Sequence, residues 1–224
     1  MMCVILSING GITMKIVLVN GSPHETGTTY TALKVVENTL QNEGIETEIF
    51  WIGNKAISGC IGCYACTKLG KCAIDDIVND FNEKAKSADG FIFGTPVHYA
   101  GVSGMLTSFM DRAFYSASCS GHKDIYEFKP VASVICARRA GTTATYDQIN
   151  KYFGISQMPI ISTRYWNMAF GRKAEDVTKD EEGIQTLRIL GKNMAYFLKC
   201  IEAGKEKGIT KPEQEKVTFT NFIR

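Results

Sequence analysis

The chain has 224 residues and a mass of 24.7 kDa, 45% of it hydrophobic and 21% charged, which is the make-up of one ordinary globular domain and excludes disordered, collagenous and coiled-coil classes. Twenty-five basic against 23 acidic side chains leave a net charge of +2, too weak a field to attract nucleic acid or an anionic bilayer, and no apolar run approaches the length needed to span a membrane. The eight cysteines are the unusual feature; with no secretory signal recognised, a cytoplasmic location and free thiols are expected rather than a disulfide framework.

Met1 to Thr13 has a short apolar stretch but neither a basic leader nor a small-residue cleavage site. It reads as an extension (residues 1–13) ahead of the domain (14–204), with a polar tail (205–224). Lys15 to Asn20 is the first predicted strand. The loop Gly21-Ser-Pro-His-Glu-Thr-Gly-Thr-Thr29 follows and runs into a helix over Thr28 to Glu43, with Leu33, Val36 and Leu40 on one face and Gly44 as the stop. Free amides at that helix start, with hydroxyls from Ser22, Thr26, Thr28 and Thr29, suit a phosphate; plain helix capping is the alternative. The loop has neither the Gly-Lys-Ser/Thr of a P-loop nor G-x-G-x-x-G, which disfavours a nucleoside triphosphate or a Rossmann-type NAD site.

A second strand is predicted over Ile45 to Trp51. Beyond it stands Cys60-Ile-Gly-Cys63-Tyr-Ala-Cys66-Thr-Lys-Leu-Gly-Lys-Cys72. Three sulfurs with two residues between neighbours can wrap one face of a [4Fe-4S] cluster, and the fourth can return after a short loop. Four-thiolate zinc, or four reduced thiols without metal, remain open on spacing alone. Cys3, Cys119, Cys136 and Cys200 are scattered and read as incidental thiols.

A helix over Asp75 to Ala88 comes next, its leading aspartates suited to the positive helix end. A third strand, Gly90 to Thr95, leads into Thr95-Pro-Val-His-Tyr99, where a flat ring could rest against proline and aromatic side chains; a simple proline turn is the other reading. A helix over Met105 to Phe114 precedes a long connection, Ser116 to Pro130, containing Tyr126 and expected near a partner subunit. The fourth strand, Val131 to Ala137, opens onto Arg138, Arg139 and Gly141, candidates for an anionic or electron-rich ligand. A helix over Thr143 to Phe153, a fifth strand over Met158 to Ser162 and a final helix over Glu181 to Ala203 complete the order. Phe219 and Phe222 in the tail are expected to dock on a neighbour.

Five strands alternating with helices predict an α/β, three-layer, flavodoxin-like fold with a five-stranded parallel sheet of order 2-1-3-4-5. Ligands are expected beyond the carboxyl ends of the strands near the switch point.

Four segments in this order, Gly21 to Thr29, Cys60 to Cys72, Thr95 to Tyr99 with Phe109-Met-Asp-Arg112, and Tyr165-Trp-Asn-Met-Ala-Phe-Gly171, resemble the NADPH-dependent FMN reductase and iron-sulfur flavoprotein family between Met14 and about Ala203. The resemblance implies non-covalent FMN, a homodimer or homotetramer, and reduction by NAD(P)H or by a ferredoxin-like protein donor. It implies passage of electrons to a small-molecule acceptor such as a quinone, nitro compound or flavin. The alternative is an electron-transfer module carrying FMN and a cluster on Cys60, Cys63, Cys66 and Cys72. FMN contacts fall on Ser22, His24, Gly27, Thr28, Thr29, Thr95, Pro96, Val97, His98, Tyr99, Arg138 and Gly141, with no catalytic side chain assigned. Relatives often carry arginine at position 24 and asparagine at 28, so neutral donors are expected to hold the phosphate.

Overall fold

The computed structural model describes residues 14–220 and 222; the expected extension over 1–13 lies outside them. Strands β1 (Lys15–Asn20), β2 (Glu46–Trp51), β3 (Gly90–His98), β5 (Val131–Ala137) and β6 (Met168–Phe170) form a parallel sheet in the order β2-β1-β3-β5-β6. A two-residue strand, β4 (Gly101–Val102), pairs antiparallel with the end of β3. Without that hairpin strand, the order is the predicted 2-1-3-4-5. The fold is flavodoxin-like.

Both faces of the sheet are covered. Helices α1 (Thr28–Asn42) and α7 (Glu181–Glu206) close one side over Leu18, Leu33, Val36, Ile92, Val134, Leu187 and Leu190. They approach closely enough that a Cβ on Gly191 would meet the Thr39 side chain at 2.7 Å. On the other side α3 (Ile77–Lys86), α4 (Gly104–Cys119) and α5 (Thr142–Ile155) enclose Phe81, Phe93, Phe109, Ile149 and Phe153. Short helices α2 (Cys66–Leu69) and α6 (Ala174–Val177) lie in the connections. The uninterrupted apolar runs of β1 and β5 follow from burial on two faces rather than one.

Three expectations are corrected. The fifth strand is Met168–Phe170, not Met158 to Ser162; the earlier segment makes one bridge, Val131 with Ile160. Pro159 there accepts a bond from the Val131 amide but has none to give, and the ladder resumes only after the chain loops out and returns at Asn167. Thr95 to Tyr99 is not a post-strand loop but a strand extension and hairpin, turned at Tyr99 and Ala100 with φ of 48° and 60°. Finally, α4 continues to Cys119 and Tyr126 is buried in the core, its hydroxyl donating to Asn82 Oδ1 at 2.6 Å. Tyr126 is therefore part of the core.

Candidate functional site

The loops after β1 and β3 leave the sheet side by side at its carboxyl edge, where strand order reverses. Asn20, fully buried at the end of β1, ties the first loop down: its Oδ1 accepts from the Ser22 amide at 3.1 Å and its Nδ2 donates to the Glu25 carbonyl at 3.0 Å. Ser22 Oγ accepts from the His24 amide, and the Trp51 indole N–H donates to the Ser22 carbonyl at 2.8 Å. Gly27 caps α1 with no side-chain bond, so the first-turn amides are not satisfied by a capping side chain. The braced loop lies along an open cleft of about 630 Å³ lined by Ser22, Pro23, His24, Glu25, Thr26, Gly27, Thr28, Trp51, Asn54, Pro96, His98 and Arg172 to Glu175.

Of the residues expected to hold FMN, Ser22, His24, Gly27, Thr28, Pro96 and His98 line this cleft. Thr29 and Thr95 do not: both are fully buried. The Thr29 methyl lies where a Cβ on Gly94 would meet it at 2.9 Å, and Thr95 Oγ1 accepts from the Ser103 amide and donates to the Pro96 carbonyl. Val97 packs against Gly141 beneath the hairpin, while Tyr99 at its tip and Arg138 after β5 are exposed. Two cations that the sequence argument missed, Arg172 and Lys173, line the cleft from the connection after β6; their backbone amides donate to Asp176 Oδ2 at 3.0 Å. Neutral donors are therefore not alone, although Glu25 and Glu175 moderate the charge. The signal was weak because basic residues in a turn usually mark only solvated surface. The donor set and the space suit a phosphorylated flavin.

The cysteines form a second site. Cys60, Cys63, Cys66 and Cys72 line one recess with Ile61, Tyr64, Ile74, Arg112 and Tyr115. Cys60 and Cys63 are exposed, Cys72 is half-buried and Cys66 is buried at the start of α2. Burial, and next the neighbouring Cys119, raise the Cys66 thiol above its ordinary range; Cys119, expected to be incidental, thus adjoins the site from the end of α4. Among the described residues no three His, Cys, Asp or Glu side chains are grouped closely enough to hold a metal ion. The donor set, four thiols lining one recess, is of the kind that ligates iron-sulfur clusters.

Arg112 closes the floor of that recess and is almost wholly buried. Its NH1 and NH2 donate to the two Asp76 carboxylate oxygens at 2.7 and 2.8 Å, and its Nε donates to Cys72 Sγ at 3.3 Å. Burial opposes the Arg112 charge, but the bonds to Asp76 and Cys72 outweigh it and hold its pKa above the ordinary value.

A family model described as NADPH-dependent FMN reductase matches residues 14–173. An iron-sulfur flavoprotein of Methanocaldococcus jannaschii is 34% identical over 194 residues, covering 84% of this chain and all of the relative. Among solved structures, RosB with a bound 8-demethyl-8-formylriboflavin-5'-phosphate intermediate matches 95% of this chain and 93% of its own at 13% identity and a TM-score of 0.67. A flavodoxin from the domain Archaea matches 83% of this chain and 99% of its own at 13% identity and a TM-score of 0.55. At such identities the structures speak for the fold alone, whereas the family model and the Methanocaldococcus jannaschii relative decide the family: the chain belongs to the NADPH-dependent FMN reductases and iron-sulfur flavoproteins, a family of FMN-dependent oxidoreductases.

Proposed function

We propose that the cleft beside α1 holds FMN and that the chain passes electrons from NAD(P)H or a protein donor to a small-molecule acceptor such as a quinone, nitro compound or flavin. The observation that carries this reading is the meeting, in one cleft, of a braced hydroxyl-rich loop, the helix start without a capping side chain, the Pro96 to His98 strand end and two cations. FMN, when bound, supplies the hydride and electron chemistry, and no side chain need act as an acid or base. The phosphate is assigned to the α1 amides with Ser22, Thr28, Arg172 and Lys173. The ring is assigned to the side of Pro96 and His98, beneath the hairpin that carries Tyr99. Tyr99 is wholly exposed, and we assign its cover to a second copy of the chain in a homodimer or homotetramer acting in the cytoplasm. Of the described residues, no helix is long and apolar enough to cross a membrane.

A second reading, an electron-transfer module between proteins such as a ferredoxin-like donor and an acceptor, is favoured by the four-cysteine recess; there Cys60, Cys63, Cys66 and Cys72 would hold a [4Fe-4S] cluster, which relays single electrons when bound. One set of preparations separates the readings. Protein purified without oxygen and supplied with iron and sulfide should show flavin absorbance and about four irons per chain, the number in a cubane. Thr28→Glu should lose the flavin through repulsion of the phosphate. A Thr28→Glu variant as yellow as the parent would place the flavin elsewhere. Iron uptake without NAD(P)H oxidation would favour the relay, and NAD(P)H oxidation without iron the reductase.

A further inference from the structure

A fully buried arginine on a helix whose neighbouring buried positions are Phe109, Met110, Ala113 and Phe114 is costly unless every donor is used. In Arg112 all are. The guanidinium has five N–H groups and makes five bonds: two to Asp76, one to Cys72 Sγ, one to the Ile74 carbonyl at 2.7 Å and one to the Ser58 carbonyl at 3.4 Å. Ser58 stands two residues before Cys60, and Ile74 two residues after Cys72. One side chain therefore ties both ends of the cysteine loop to the same point on α4. Asn79 adds a local clamp, its Oδ1 accepting from the Cys72 amide at 3.1 Å and its Nδ2 donating to the Cys72 carbonyl at 3.0 Å.

We propose that Arg112 is the positioning residue of the four-cysteine site: it holds the loop from Ser58 to Ile74 in one arrangement before any cluster arrives, and its N–H on Cys72 Sγ raises the reduction potential of the cluster held there. The inference rests on the cluster reading above. A planar fork with fixed donor directions can serve these partners at once, whereas a lysine offers a point charge to one or two of them. Hydrogen bonds to ligand sulfurs are among the factors that set iron-sulfur potentials, and outer partners commonly orient the ligands themselves. An ion pair serving only the stability of α3 and α4 would need Asp76 alone.

Hydrogen exchange of the full-length, iron-free chain tests the positioning, and iron content with midpoint potential after anaerobic reconstitution tests the tuning. In Arg112→Lys and Arg112→Gln the Ser58 to Ile74 segment should exchange at least tenfold faster, with α1 and α7 unchanged. Reconstituted Arg112→Lys should hold less than half the iron of wild type, at a lower midpoint potential. Should Arg112→Gln unfold, Arg112→Lys, which keeps a cation facing Asp76, carries the comparison. A folded Arg112→Lys whose loop exchanges at the wild-type rate, or which takes up wild-type iron at an unaltered potential, overturns the proposal. Wild-type chains that bind no iron overturn the cluster reading alone, because the exchange comparison on iron-free protein still decides whether Arg112 holds the loop.

Discussion

Single side chains around the cleft divide into those that face it and those that support it, and Gly141 shows how strict the second group is. Its φ of +93° lies where L-residues are disfavoured, and a Cβ would sit 2.6 Å from Ala100 Cα and 2.9 Å from Val97 Cγ1. The hairpin that carries Tyr99 rests on that missing side chain. Gly141→Ala should therefore cost about 1–2 kcal/mol for the backbone conformation plus the displacement of the hairpin. The expected outcome is weaker flavin retention, with dissociation followed by fluorescence of released FMN. Unchanged affinity would mean that the hairpin does not touch the ring. The sequence offered Gly141 only as a candidate ligand contact. Its steric role required Ala100 and Val97 to be brought against it by a turn that the sequence did not suggest.

Helix α3 shows how an element couples the core to the cysteine loop. Asp76 caps it, Oδ1 accepting from the Val78 amide at 3.1 Å, while the same carboxylate meets Arg112. Its inward Phe81 is wholly buried among Phe50, Phe91, Phe93 and Phe109, with ring centroids 5.1–6.1 Å away. Phe81→Ala should destabilise the chain by about 3–5 kcal/mol, measured by urea denaturation. Because α3 carries the far end of the cysteine loop, the variant should also lose reconstituted iron before it loses FMN, which the proposed function assigns to α1 and the loop after β1. A variant that lost both cofactors in parallel would show that the two sites share one cooperative unit.

Across the whole molecule, one half-buried lysine gives stability a pH dependence of known sign. Lys129, between the turn at Lys123–Ile125 and β5, donates to the Ala85 carbonyl at 2.9 Å and lies over the Phe91 ring. Burial pushes its pKa down to about 8. The unfolded chain therefore holds this proton between about pH 8 and the ordinary lysine value near 10.4, while the folded chain releases it, so stability attributable to Lys129 rises with pH through that window and is lowest below it. Buried thiols and phenols such as Cys136 and Tyr126, raised mainly by burial, act in the opposite direction above their ordinary values. Comparison with Lys129→Met removes them: the unfolding free energy of wild type should gain on that of the variant from pH 8 to 10. A constant difference would mean that Lys129 keeps its proton in the fold.

The sequence by itself determined the alternation of strands and helices, the sheet order and the two motifs, because burial on both faces writes long apolar runs into β1, β3 and β5, and because phosphate loops and closely spaced thiols are local features. It placed Asp76 at a helix start and Gly44 at a helix end for the same reason, since capping acts within one turn. Tertiary structure alone decided the rest. The sixth strand pairs with β5 after an irregular excursion that no periodicity marks. Thr29 and Thr95, hydroxyl donors by composition, are turned inward by packing against Gly94 and Ser103. Arg172 and Lys173 reach the cleft only because α6, directly after them, packs against α1. Arg112 meets Cys72, forty residues away, because α4 lies along the cysteine loop, and Cys119 joins Cys66 by the same packing. Long-range juxtaposition depends on how layers close over the sheet, which one-dimensional patterns of polarity do not encode.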